Sequence, residues 1–148
     1  MNKIFAGIGV LVIIAVIALV PGMFGTTGNI VTEGAFTIPI TEISETAKFY
    51  EYDSNGVTVR FFVVKANDGN IKTAFDACDV CYRSKKGYRQ DGEYMVCNNC
   101  GNKYPITGLG TENRNPGGCW PSYLASIIIG NELIIQKSDI DKGRTSFA

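Results

Sequence analysis

The chain has 148 residues, with 14 Lys and Arg against 14 Asp and Glu, five cysteines and no histidine. Zero net charge argues against a nucleic-acid binder, which needs a basic face to displace counterions from phosphates. The missing histidine excludes Ser-His-Asp and Cys-His nucleophile pairs, His-ligated zinc and a CxxCH haem site, so sulfur, carboxylates and hydroxyls carry what chemistry there is.

The first element is apolar. Ile4–Val20 has no polar side chain, and Lys3 is the only charge before Glu33. At about 1.5 Å per helical residue, a helix from Ile4 to Phe24 spans roughly 31 Å, the thickness of a hydrocarbon core. A buried core helix would show a polar face, and a cleaved signal peptide would want a small-x-small site where Ala18-Leu19-Val20-Pro21-Gly22 stands. Residues 1–24 therefore read as an uncleaved transmembrane anchor, with a signal sequence as the alternative. Lys3 sets the N-terminus in the cytoplasm by the positive-inside bias, which makes a single-pass protein of the cell membrane with an extracytoplasmic main domain. No twin-arginine pair precedes the run, so export is expected to be Sec-type. Residues 25–34, with Gly25, Thr26, Thr27 and Gly28, read as a flexible stalk.

The remaining residues, 35–148, suffice for one core. Ala47–Tyr52 and Val57–Lys65 flank Asn55-Gly56, the strongest short hairpin signal. A second hairpin runs through Ala66-Asn67-Asp68-Gly69-Asn70 into Ile71–Phe75. Glu93–Val96 reads as a short strand, and Tyr123–Ile129 with Glu132–Gln136 as a third hairpin across Gly130-Asn131. No stretch of this part carries a helical stripe of useful length. The expected fold is mainly β: a small antiparallel domain with two cysteine-knuckle loops, preceded by one transmembrane helix.

Those knuckles are Cys78-Asp79-Val80-Cys81 and Cys97-Asn98-Asn99-Cys100-Gly101, a C-x2-C-x15-C-x2-C pattern with the spacing of a four-thiolate metal site. Each tight turn sets two sulfurs on one side, where backbone N–H groups can offset thiolate charge. Gly101 permits the positive φ that such a turn often needs. All-sulfur ligation suits zinc, mononuclear iron, Cu(I) or an iron–sulfur cluster. Disulfides are the competing state outside the cytoplasm. One closing such a loop contributes about 3 kcal/mol, against about 10–16 kcal/mol for a structural metal in apparent binding free energy. A thioredoxin-like CxxC should open an amphipathic helix, but Tyr82-Arg83-Ser84-Lys85-Lys86-Gly87 follows Cys81.

Cys119 is the fifth cysteine, in Asn115-Pro116-Gly117-Gly118-Cys119-Trp120-Pro121. It reads either as a small core hydrophobe or as a further ligand for the metal or cofactor. Trp120 reads as core or as a lid over the sulfurs. Arg83, Lys85, Lys86 and Arg89 form either a solvated loop or a cationic rim that compensates thiolates and docks an acidic partner. Asp76 and Asp79 are turn residues or outer-shell acceptors, and Arg60, within Val57–Val64, faces outward or pairs with a buried carboxylate.

Taken together, Val59-Arg60-Phe61-Phe62-Val63-Val64-Lys65, Asp76-Ala77-Cys78-Asp79-Val80-Cys81, Gly87-Tyr88-Arg89-Gln90, Met95-Val96-Cys97-Asn98-Asn99-Cys100-Gly101, Tyr104-Pro105-Ile106 and Gly117-Gly118-Cys119 resemble the FtrD-like membrane iron–sulfur proteins. The resemblance runs from about Ala35 to Phe147. It implies a role in ferrous-iron uptake as a ferredoxin-like electron acceptor beside a ferroxidase and an iron permease. It also implies that Cys78, Cys81, Cys97 and Cys100 are the principal metal ligands and Cys119 an additional one. Two function classes follow: an electron-transfer or metal-handling protein of iron transport, and a structural zinc-ribbon-like scaffold. A thiol–disulfide redox protein is the third expectation.

Overall fold

The computed structural model describes residues 34–115 and 117–148. The expected anchor, and the stalk apart from Gly34, lie outside the described residues. Among the described residues no helix is long and apolar enough to cross a membrane.

In chain order the strands are β1 (Ala35–Pro39), β2 (Lys48–Ser54), β3 (Val57–Lys65), β4 (Ile71–Phe75), β5 (Tyr88–Asp91), β6 (Tyr94–Cys97), β7 (Lys103–Pro105), β8 (Ile127–Ile129) and β9 (Glu132–Gln136), followed by helix α1 (Lys137–Lys142). They make three antiparallel three-stranded sheets, ordered β2-β3-β4, β5-β6-β7 and β1-β9-β8. Asn55 and Gly56 take φ of 51° and 82°, the two left-handed residues that a tight hairpin turn demands, and the register Ser54 opposite Val57 follows.

Strand β3 explains the rest of the packing. Its side chains alternate with period two, and both faces are covered. Phe62 and Val64 enter the core that also holds Cys78, Tyr88, Met95 and Cys97. Val59, Phe61 and Val63 enter a second core with Ile38, Leu133, Ile135 and Ile140. Phe61 and Phe62 are fully buried, each contributing about 2–3 kcal/mol of transfer free energy. The apolar run of β3 is thus a wall between a core that carries the cysteines and one that does not.

Four features differ from the sequence reading. The first strand, β1, pairs with the last, β9; β1 is an edge strand, which is where Pro39 is tolerated. Only Ile127–Ile129 of the expected strand Tyr123–Ile129 joins its hairpin. Residues before it are drawn off to β4, where Phe75 N–H donates to the Ser122 carbonyl at 2.9 Å and Thr73 Oγ1 to that of Leu124 at 2.8 Å. Part of the expected loop between the knuckles is β5, held by pairing with β6 although only Tyr88 among its residues is buried. Helix α1 has six residues and buries only Ile140, too little to print a stripe in the sequence.

Candidate metal centre

The two knuckles fold as local turns. Cys81 N–H donates to Cys78 Sγ at 3.0 Å, and Ser84 N–H to the Cys81 carbonyl at 3.0 Å. The turn Tyr82–Ser84 is a single 3-10 turn that stops at Lys85 (φ 54°), so no amphipathic helix follows Cys81. In the second knuckle Gly101 N–H donates to the Cys97 carbonyl at 2.9 Å with φ at 76°, the conformation expected from its lack of a side chain.

Three polar clamps bring the cysteine-bearing loops together. Asn98 fastens the second knuckle to the chain after the first. Its N–H reaches the Gly87 carbonyl at 3.0 Å, its amide nitrogen donates to the Lys86 carbonyl at 2.9 Å, and its Oδ1 accepts from Arg89 at 2.9 Å. Asp79 fastens the Cys119 loop to the first knuckle by accepting the Gly117 N–H at 2.6 Å and, more weakly, the Ser122 hydroxyl at 3.4 Å. From the core side, the buried Tyr88 hydroxyl donates to the Cys119 carbonyl at 2.5 Å.

The result is a gathering of all five sulfurs. Cys78, Cys81 and Cys119 form one group whose sulfurs lie within 4.8 Å of one another, and Cys81, Cys97 and Cys100 form another. Cys81 belongs to both, and its Sγ stands 3.6 Å from that of Cys119. All five cysteines are free. Cys78 and Cys97 are buried, Cys81 and Cys119 half-buried, and Cys100 exposed, so one edge of the gathering meets solvent. These groups can hold a metal through sulfur alone.

Electrostatics divide the thiols. A hydrogen bond from the Asn99 side chain pulls Cys81 down to about 7, while burial pushes Cys97 up to about 11 and Cys119 up to about 12. Burial also raises the hydroxyls of Tyr88 and Tyr104, the latter to about 12, which keeps both as neutral donors.

Asp76 is buried beneath the first knuckle, where it accepts the Tyr88 N–H at 2.6 Å and pairs with Arg60 at 3.4 Å. Arg60 is therefore the partner of a buried carboxylate, the second of its two sequence readings. Burial is the larger influence on Asp76 and raises its pKa, with the Tyr88 N–H and Arg60 opposing. Trp120 packs on Tyr104 with ring centroids 4.8 Å apart and belongs to the margin of the sulfur-bearing core. Arg83, Lys85, Lys86 and Arg89 are all exposed.

Sequence reasoning gave no role to Tyr88, Asn98 or Asn99. The two asparagines lie inside the second CxxC, and that position was a signal available in the sequence. The link from Tyr88 to Cys119 spans 31 residues and leaves no local trace.

No curated protein matches the chain. A family model described as "Membrane iron-sulfur containing protein FtrD-like" matches residues 43–147, the stretch that contains all five cysteines and the clamps that gather them. The chain belongs to the FtrD-like family of membrane iron–sulfur proteins.

Proposed function

We propose that this chain is a membrane-tethered electron carrier that serves iron transport from the extracytoplasmic side of the cell membrane. The observation that carries the reading is the gathering of five sulfurs with one solvent-facing edge. An all-thiolate donor set fits an iron–sulfur group. Cys78, Cys81, Cys97 and Cys100 would hold it, with Cys119 as a further ligand, and the bound group would supply one-electron chemistry.

The protein's own part is positioning. Buried Cys78 and Cys97 fix the inner side of the centre in the core, while exposed Cys100 brings the outer side within reach of a docked partner. Arg83, Lys85, Lys86 and Arg89 supply a cationic rim suited to an acidic redox partner, with an iron permease or a ferroxidase as the expected kind. The apolar run Ile4–Val20 would tether the domain to the membrane.

One observation favours the structural scaffold: Cys97 closes β6, so a zinc ion there would pin the β5-β6-β7 sheet. Metal and sulfide analysis of the full chain, with optical spectra before and after dithionite, separates the two. The electron-carrier reading expects iron and a visible band that bleaches on reduction and returns on reoxidation. Stoichiometric colourless zinc would establish the scaffold, and Cys78–Cys81 with Cys97–Cys100 disulfides in untreated membranes would establish a thiol exchanger.

A further inference from the structure

We propose that the five cysteines form a two-metal centre in which Cys81 is a bridging ligand, one ion taking Cys78, Cys81 and Cys119 and the other Cys81, Cys97 and Cys100. The inference rests on the metal-binding reading above and adds the number of ions, the division of ligands and the role of Cys119.

A metal–sulfur bond of about 2.3 Å puts sulfurs on one tetrahedral ion roughly 3.8 Å apart, and on one trigonal ion roughly 4.0 Å apart. The Cys81–Cys119 separation of 3.6 Å is close to the tetrahedral value. Each group of three keeps its sulfurs within 4.8 Å, whereas the four sulfurs of the two CxxC pairs do not together make such a group. A single tetrahedral ion would require every pair among its four ligands to be that close. The grouping instead presents two adjacent three-sulfur sets with one member in common.

Cys81 is built for the shared position. It ends the first knuckle, which gives it Cys78 as a neighbour, and it faces both the second knuckle and the Cys119 loop. The chain's own hydrogen bonds agree with this division. Asp79 and Tyr88 fix the Cys119 loop against the first knuckle, and Asn98 fixes the second knuckle to the chain that follows the first. Each set therefore has its own clamps.

Charge points the same way. Five thiolates around one divalent ion leave a net charge of about −3, against about −1 around two, and an uncompensated buried thiolate is costly. With Cys78 and Cys97 both buried, the arrangement that neutralises more sulfur is favoured. The ions concerned are thiophilic divalent ones, ferrous iron or zinc, since no nitrogen ligand from histidine exists in the chain.

The probe is cadmium(II), added to the reduced full chain in detergent. The sulfur-to-cadmium charge-transfer band, native mass spectrometry and cadmium-113 NMR report on it. The expected result is saturation at two equivalents, with two cadmium resonances coupled to each other through the shared sulfur. Cys119→Ser and Cys100→Ser are each expected to retain one tightly bound ion, and Cys81→Ser to weaken both. Saturation at one equivalent, two uncoupled resonances, or two ions retained in Cys119→Ser would overturn the inference. Because wild-type stoichiometry and coupling decide the matter, a variant that fails to fold leaves the test intact. A wild-type chain that binds no cadmium would overturn the metal-binding reading itself, whereas one bound ion overturns only the two-metal arrangement.

Discussion

The Asp79 carboxylate accepts the Gly117 N–H at 2.6 Å across 38 residues of sequence, and this contact holds the Cys119 loop against the first cysteine knuckle. The residue between the two cysteines of one knuckle thereby sets the position of a third sulfur. Asp79→Ala is expected to cost about 1 kcal/mol in stability, since the bond is on an exposed side chain. Its sharper effect is local. In the metal-free chain Cys119 should be alkylated several-fold faster while Cys97 is unchanged, as read by mass spectrometry of labelled peptides.

Asn98 performs the corresponding task for the second knuckle. Asn98→Ala removes the bonds to the Lys86 carbonyl and from Arg89 but leaves every sulfur in place. Outer-shell losses of this kind typically cost 10–100-fold in metal affinity. For this exposed residue a loss of about tenfold is expected, measured by competition with a chromogenic chelator. Unchanged affinity would mean that the second knuckle holds its shape without the clamp.

Gly87 sits over the Asp76 carboxylate at φ 62°, and a methyl group there would collide with both carboxylate oxygens. The carboxylate is held by Tyr88 N–H and Arg60, so it has nowhere to retreat. Gly87→Ala is expected to destabilise the domain by about 2 kcal/mol through strain and displacement together. Asp76→Ala should cost about 2–3 kcal/mol by leaving Tyr88 N–H and half-exposed Arg60 without their acceptor. Urea denaturation measures both.

Metal binding and pH act with opposite signs on the two states of the chain. Folding raises Cys97 and Cys119 from 9.0 to about 11 and about 12, so in the metal-free chain their contribution is full below the ordinary thiol value. It is lost as pH rises through the folded values. The metal-loaded chain should instead weaken as pH falls, because protons compete for its ligands. Cys81, lowered from 9.0 to about 7, acts the other way below the ordinary thiol value, so thermal melts with and without chelator should show opposite trends above it, and hydrogen exchange should show chelation loosening Cys97–Cys100 before β2 and β3.

Local chemistry made much of this legible in the sequence. Asn55-Gly56 announced its hairpin, and β3, β4 and β9 fall where their apolar patterns place them. The CxxC spacing and the unusual Gly117-Gly118-Cys119 segment picked out the five sulfurs. Long-range pairing was not legible. The partnership of β1 with β9 joins the two ends of the domain, and β5 owes its extended form to β6 rather than to its own side chains. The approach of Cys119 to Cys81 was likewise not legible, because it is made by Asp79 and Tyr88 from distant parts of the chain.

X-ray absorption at the metal edge of the full chain as isolated tests the central claim of a sulfur-held metal centre most directly. The expected result is a first shell made of sulfur alone at about 2.3 Å, lost when the cysteines are alkylated after metal removal. A shell dominated by oxygen or nitrogen, or a chain without bound metal, would contradict it.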